Sequence, residues 1–245
     1  MPDDLDHGAG AGGPGPRCHP DDAPGAPLGA LMAQVVACRA CPRLVAWREE
    51  VAVAKRAAFA GEEYWGRPVP GFGDASARLV VVGLAPAAHG ANRTGRMFTG
   101  DRSGDWLYRA LYRAGFANQA TSLSAGDGLE LRGAYVTAAV RCAPPANRPT
   151  PAERDRCAGY LARELDLLEQ ARVVLVLGGF ALDAVARVLE LRPRPRFGHG
   201  VEHELAGGRT LLCSYHPSQQ NTFTGRLTVE ALDGVMARAA ALCRG

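Results

Sequence analysis

The stretch LVVVGLAPAAHGANRTGRMFTGD, residues 79–101, joins an apolar run to a loop that is rich in glycine and small residues. A short apolar run of this kind is typical of a strand buried on both faces of a parallel sheet. The loop carries His89, Arg93 and Arg96 and ends on Asp101. In open α/β sheets, ligands bind beyond the carboxyl ends of the strands. The stretch therefore predicts one wall of a binding site, in which Asp101 is either a helix cap or a reacting carboxylate.

Further elements of the same kind surround this stretch. Apolar runs that suit buried strands follow at 134–140, 173–177 and 210–215. Segments with helical spacing lie at 28–47, with a break at Cys41-Pro42, and at 103–114, 151–169, 180–189 and 228–242. The segment from Pro151 begins with a capping box, since Thr150 stands at the N-cap and Glu153 three residues later. This alternation predicts one α/β domain, with a parallel sheet covered by helices on both faces.

The ends of the chain and its composition limit the class of protein. Of its 245 residues, 47% are hydrophobic, which is enough for a sizeable core. Residues 1–27 contain almost no large apolar side chains, so we expect a disordered tail followed by a single domain over 28–245.

Location and partners follow from the same composition. No apolar run reaches the roughly 18 residues of a membrane-spanning helix, and the acidic N-terminus lacks the apolar segment of a signal peptide. We expect a cytoplasmic protein with no membrane partner. Its formal net charge of +3 permits an anionic partner without requiring one.

Four of the seven cysteines form two close pairs that suggest a metal centre. Cys38 and Cys41 make a C-x-x-C pair, while Cys142 ends the second strand and Cys157 lies early in the following helix. Each short segment can direct two sulfurs at one centre, which suits zinc as well as an iron–sulfur cluster. The spacing does not choose between these two, and four unrelated buried cysteines are the third alternative.

The last strand runs into the polar loop YHPSQQNTFTGR, residues 215–226. His216 stands at the strand end, on the same edge of the sheet as the Gly83 loop. The hydroxyl, amide, aromatic and guanidinium groups that follow suit the probing of DNA, where side chains must fill a gap in a base stack. We expect Ser218, Gln220, Asn221 and Arg226 to contact DNA, and an ordinary solvent-exposed loop is the alternative.

Taken together, the motifs resemble the family-5 uracil-DNA glycosylases of bacteria and archaea. The segments that carry the resemblance, with Cys38-x-x-Cys41, are GLAPAAHG at 83–90, NRTGRMFTGD at 92–101, YVTAAVRCAPP at 135–145 and YHPSQQNT at 215–222. The resemblance implies a three-layer α/β/α sandwich with a four-stranded parallel sheet. It also implies a structural [4Fe–4S] cluster on Cys38, Cys41, Cys142 and Cys157, and excision of uracil from double-stranded DNA without cleavage of the backbone.

The same resemblance implies roles for individual residues. Gly83 to Ala87 line the site near the sugar and the attacking water, Phe98 stacks on the flipped base, His216 faces the uracil O2 and Asp101 orients water. The substrate pocket is expected to comprise Gly83, Leu84, Ala85, Pro86, Ala87, His89, Asn92, Phe98 and Ala138. Leu84 and Ala138 stand where many relatives in the superfamily have polar residues, as is typical of family 5.

These departures bear on specificity, because a pocket that is poor in hydrogen-bonding partners rejects wrong substrates only weakly. We therefore expect an enzyme that also removes other deaminated bases such as hypoxanthine. We also expect the enzyme to be a monomer. Two other classes are open from the residues alone. One is a zinc-dependent phosphohydrolase whose Gly83 loop cradles phosphate, and the other is a non-catalytic protein that binds damaged DNA.

Overall fold

A computed structural model of the chain describes residues 27–245. It contains six strands: β1 (Phe72–Gly73), β2 (Leu79–Gly83), β3 (Ala134–Ala138), β4 (Val173–Leu177), β5 (Glu202–Glu204) and β6 (Thr210–Ser214). They form one sheet in the order β1-β3-β2-β4-β6-β5. The four central strands are parallel, whereas β1 and β5 are antiparallel to their neighbours.

Eight α-helices accompany the sheet in the described residues: α1 (Pro27–Val36), α2 (Pro42–Ala54), α3 (Ala91–Thr94), α4 (Arg102–Arg113), α5 (Pro151–Leu167), α6 (Gly179–Val188), α7 (Gln219–Phe223) and α8 (Val229–Arg244). Single 3₁₀ turns lie at Ala57–Phe59, Pro145–Asn147 and Ala206–Gly208. Within this part of the chain, no helix has the length and apolar character to span a bilayer.

Two cores lie on opposite faces of the sheet because successive residues of a strand point to opposite sides. Leu79 and Val81 of β2 pack with residues of α4 and α8. Val80 and Val82 pack with residues of α1, α5 and α6. All five residues of each of the strands β2, β3 and β4 are buried, as expected for parallel strands covered on both faces.

The predicted α/β class and its layered arrangement of helices are therefore confirmed. The purely four-stranded sheet is corrected to a mixed sheet of six, because two short antiparallel strands border the predicted four. The capping box of α5 is present: the Thr150 side chain accepts the Glu153 N–H, and the Glu153 carboxylate accepts the Thr150 N–H. Apart from Pro27, the first residue of α1, the predicted disordered tail lies outside the described residues.

Candidate active site

Gly83, the last residue of β2, makes room for an aromatic ring. A side chain at this position could not fit, since a Cβ there would lie 2.5 Å from Cζ of Phe98. Phe98 is buried and has a φ of +53°, an uncommon conformation for a residue with a side chain. Such a conformation persists only where the surroundings fix it. Because Gly83 has no Cβ, the ring has room to lie against the end of β2. The backbone conformation of Phe98 places it there.

His216 faces the same ring from the end of β6. The ring centroids of Phe98 and His216 lie 5.8 Å apart, with an angle of 31° between their planes. Asn221 fixes the backbone here by donating from Nδ2 to the His216 carbonyl oxygen at 2.8 Å. Burial lowers the pKa of His216 to about 4, so its imidazole is neutral at neutral pH and carries one N–H donor.

Asp101, the N-cap of α4, is the third residue of the candidate active site, after Phe98 and His216. Its Oδ1 accepts the Gly104 N–H at 3.0 Å. Its Oδ2 lies against Gly90, where a Cβ would come within 2.1 Å of this oxygen. Burial raises the pKa of the Asp101 carboxyl, and the backbone N–H groups of Gly104 and Ser103 lower it again in part. One oxygen therefore caps the helix, while the side chain as a whole sits in a poorly solvated position.

The start of α4 also connects Asp101 to Phe98. A Cβ at Gly104 would lie 1.8 Å from the Phe98 carbonyl oxygen, so the first turn of the helix packs directly on the backbone of Phe98. The ring and the carboxylate are therefore held as one rigid unit beyond the end of β2.

Arg93 stabilises the loop between Gly90 and Asp101. It is 8% exposed, donates from Nε to the His89 carbonyl at 2.9 Å and from Nη2 to the Gly100 carbonyl at 3.2 Å, and forms an ion pair with Glu62. A guanidinium that holds two carbonyls of the loop fixes the loop's shape. Arg93 thus has its hydrogen bonds within the protein.

The other residues predicted to line the pocket divide into two groups. The first group is half-buried beyond the end of β2 and keeps some accessible surface; it comprises Leu84, Ala85, Ala87 and His89. His89 Nδ1 lies 3.1 Å from the Tyr64 hydroxyl. Pro86 is buried, and Ala138 is buried at the carboxyl end of β3 opposite Gly83. Ala138 offers no polar side-chain atom to a ligand.

Asn92 differs in its burial from the half-buried residues of the predicted pocket. Its side chain is fully buried, and its Nδ2 donates to the Arg48 carbonyl oxygen at 3.2 Å. Asn92 therefore joins α3 to α2 and presents no surface to a substrate. Sequence reasoning placed it in the pocket because it lies in the same short motif as Phe98 and Asp101.

The polar loop after His216 is partly helical, which the sequence analysis did not predict. Ser218 caps α7 by accepting the Asn221 N–H at 3.4 Å, so Ser218 and Asn221 both have structural roles. Gln220 and Arg226 are exposed, and the Arg226 guanidinium lies 4.4 Å from the ring centroid of Tyr215.

An exposed aromatic side chain ends α7. Phe223 is 66% exposed, and the Arg102 guanidinium lies 4.4 Å from the centroid of its ring. Arg102 directly follows Asp101, so Phe223 stands at the edge of the site. The aromatic residue within the polar run was the only sequence signal for this feature, and nothing in the sequence distinguished Arg102.

The four predicted cysteine ligands line one cavity. Cys38 and Cys41 lie between α1 and α2, Cys142 follows β3, and Cys157 lies in α5. Among residues 27–245 there is no group of three His, Cys, Asp or Glu that could hold a single metal ion. Burial raises the pKa of Cys142 to about 11 and that of Cys157 to about 12, so both are neutral thiols in the metal-free protein.

A buried cation lies beside these thiols. Arg48 is 2% exposed and donates to Cys142 Sγ at 3.0 Å and to the Cys38 carbonyl oxygen at 3.3 Å. Its acidic neighbour is Glu49, which lies 3.7 Å away, is 44% exposed and also binds Arg39. Arg141, next to Cys142, is instead paired with the buried Glu164. A buried positive charge that is only weakly compensated therefore lies beside Cys142.

Comparison with known proteins agrees with this arrangement. Residues 70–239 match the family model of the uracil DNA glycosylase superfamily, and the chain belongs to that superfamily. Over 212 residues it is 58% identical to the type-5 uracil-DNA glycosylase of Mycobacterium tuberculosis, with 85% of this chain and 79% of that protein covered.

Similarity to other relatives extends this result. The type-5 uracil-DNA glycosylase of Thermus thermophilus is 56% identical over 202 residues, covering 82% of this chain and 91% of that protein. The type-4 uracil-DNA glycosylase of Archaeoglobus fulgidus is 33% identical over 124 residues, covering 50% and 54%. The resemblance drawn from the motifs is therefore confirmed, including its assignment to the type-5 branch.

Proposed function

We propose that this protein is a uracil-DNA glycosylase that hydrolyses the N-glycosidic bond of deoxyuridine in DNA and leaves an abasic site. The observation that carries the proposal is the convergence of Phe98, His216 and Asp101 beyond the ends of β2 and β6. Phe98 and His216 have their ring centroids 5.8 Å apart, and the first turn of α4 fixes Asp101 next to Phe98. A flat apolar ring, a neutral N–H donor and a carboxylate are what base excision requires.

Charge develops on both parts of the substrate when a glycosidic bond breaks. The sugar becomes cationic, and the departing base becomes anionic at O2. The Asp101 carboxylate, when ionised, stabilises the cation and can hold the attacking water. The neutral imidazole of His216 donates its N–H to the anionic base, as a donor does in an oxyanion site. Phe98 stacks on the base and positions it between the two groups.

The pocket also supports a broad substrate range. Ala138 supplies no hydrogen bond to the base edge, and Leu84 supplies none near the sugar. Apolar pockets discriminate weakly between ligands, because no buried polar group is left unpaired by a wrong one. We therefore propose that hypoxanthine and other deaminated bases are accepted, and that U·G mispairs in double-stranded DNA are the main target, since flipping costs least at a mismatch.

A direct assay tests this function. The purified protein is incubated with matched duplexes that contain U·G, hypoxanthine·T or only normal pairs, and abasic sites are measured with time. We expect abasic sites in the first two and none in the third. Binding to the U·G duplex without release of free base would contradict the proposal and indicate a non-catalytic damage-binding protein.

The phosphohydrolase alternative finds little support in the geometry. The Phe98 ring fills the space at Gly83 where a phosphate cradle would need free backbone N–H groups.

We also propose that the four cysteines hold a [4Fe–4S] cluster. The donor set fits, because four thiols from three segments line one cavity. Buried, poorly compensated charge is costly, so the weakly paired Arg48 favours an anionic occupant. In addition, Nε of Arg48 and Nε of Arg141 are buried without a partner in the described part of the chain. The bound cluster would serve as a structural crosslink between α2, the end of β3 and α5.

Replacement of one ligand tests the cluster. Cys157→Ala should lose the visible absorption and the iron, about four per chain in the wild type, and should unfold at lower temperature. Cys213→Ala is the matched control, because Cys213 is a buried thiol in β6 that packs away from this cavity. Iron content, absorption and thermal unfolding are measured for all three proteins. A colourless wild type loaded with zinc would contradict the proposal.

All of the proposed catalytic groups come from one chain, and we propose that the protein acts as a monomer. The cysteines of the described residues are free thiols, in keeping with a reducing location such as the cytoplasm.

A further inference from the structure

Within residues 27–245, four large hydrophobic side chains are strongly exposed: Val53, Tyr112, Leu123 and Phe223. Two of these four contact the chain neighbours of Asp101. Phe223 contacts Arg102, the residue after Asp101. Leu123 lies beside Gly100, the residue before it.

The position of Leu123 is fixed by its backbone. The Gly100 N–H donates to the Ser122 carbonyl oxygen at 2.9 Å, and a Cβ at Gly100 would lie 3.2 Å from the Leu123 carbonyl oxygen. Leu123 itself is 64% exposed. Leu123 therefore exposes an apolar side chain, and its backbone contacts Gly100, the residue before the proposed catalytic acid.

The loop that presents Leu123 is rigidly built. The Asp127 carboxylate accepts the N–H groups of Leu123 at 2.7 Å and Leu129 at 3.0 Å. It also binds the buried Arg96 guanidinium at 2.8 Å. Ser122, which is fully buried, hydrogen-bonds to Thr99 at 2.7 Å. A largely buried ion pair thus fixes this loop, and the loop still exposes Leu123. The loop is therefore preorganised to present the leucine side chain.

We propose that Leu123, together with the exposed Phe223, enters the base stack of duplex DNA next to Asp101. The inference rests on the proposed glycosylase function. A flipped nucleotide leaves a gap, and apolar side chains inserted between bases kink the duplex and keep it open. Two such side chains near the acid would hold the stack apart around the extrahelical nucleotide. Arg102, whose guanidinium lies over the Phe223 ring, supplies a cation for a phosphate.

Leu123→Ala, Leu123→Met and the control Tyr112→Ala test this proposal. Tyr112 is a matched control because it is exposed but lies near the end of α4. Binding is measured to a U·G duplex and to the same uracil strand alone, with 2-aminopurine beside the uracil to report unstacking. We expect Leu123→Ala to weaken duplex binding about tenfold, the loss typical of exposing a leucine side chain. It should also reduce the unstacking signal and leave single-strand binding unchanged.

The remaining variants complete the test. Leu123→Met should retain most duplex binding, and Tyr112→Ala should match the wild type on both substrates. Equal binding of duplex by Leu123→Ala and the wild type, or equal losses on duplex and single strand, would overturn the proposal. A wild type that excises uracil while Leu123→Ala behaves normally would refute only this inference. A wild type that releases no uracil from any DNA would refute the proposed function instead.

Discussion

Asp101→Asn is expected to lower the rate of uracil excision about 10²–10³-fold, the usual effect of removing one group that stabilises transition-state charge. The fold should be unaffected, because asparagine is as good an N-cap as aspartate and can accept the Gly104 N–H in the same way. Stability should stay equal or rise at neutral pH. Burial raises the pKa of the Asp101 carboxyl, so the folded protein bears a cost for its ionised form that an amide removes.

Two further variants separate capping from catalysis. Asp101→Ser keeps a capping oxygen and should be as stable as Asp101→Asn and equally slow. Asp101→Ala loses both roles and should also lose about 1 kcal/mol of stability. Single-turnover excision and thermal unfolding are measured for each. If Asp101→Asn retains wild-type rates, Asp101 is only a cap, and Asp105, exposed in the first turn of α4, becomes the acid to test.

The second large effect is expected for His216→Ala, which removes the N–H donor to the departing base. The excision rate should fall about 10²–10³-fold, equivalent to roughly 3–4 kcal/mol of barrier. His216→Gln retains a donor and should recover part of this loss. Asn221→Ala, which frees the His216 carbonyl but leaves the imidazole, should have a smaller effect.

The pH dependence of the wild type gives an independent test of the state of His216. Because burial lowers its pKa to about 4, the rate should show no inflection near pH 6.5 that depends on His216. An inflection near 6.5 that disappears in His216→Gln would contradict a neutral imidazole.

Folding stability should depend on pH in a related way. The unfolded chain binds a proton at His216 below about pH 6.5, but the folded protein does so only near pH 4. The wild type should therefore lose stability between these values as the pH falls. His216→Gln should lack this part of the loss, as measured by denaturant unfolding across the range.

The parts of the fold that could be predicted are those with strong local signals. Runs such as Val173–Leu177 are apolar throughout, which fits only a buried element of strand length. Thr150, Pro151 and Glu153 mark the start of α5 through their own hydrogen bonds and geometry. The edge strands were missed because β1 and β5 have only two and three residues and no buried pattern.

The candidate site was predictable in outline for a different reason. Its residues follow the carboxyl ends of parallel strands, and the topology brings those ends together. What could not be predicted depends on tertiary contacts. Arg48 looks like a surface residue of a polar helix, yet it is buried against Cys142. Asn92 and Asp101 lie in one motif, but only the packing of α3 on α2 shows that the two side chains point to different places.

The two short strands at the borders of the sheet have a consequence for self-association. A long parallel strand at an edge would expose a row of unpaired N–H and C=O groups to which another chain could add. Here β3 and β6 are covered by β1 and β5, which are too short to offer such a template. Copies of the protein crowded together along DNA therefore have little opportunity to join their sheets and aggregate.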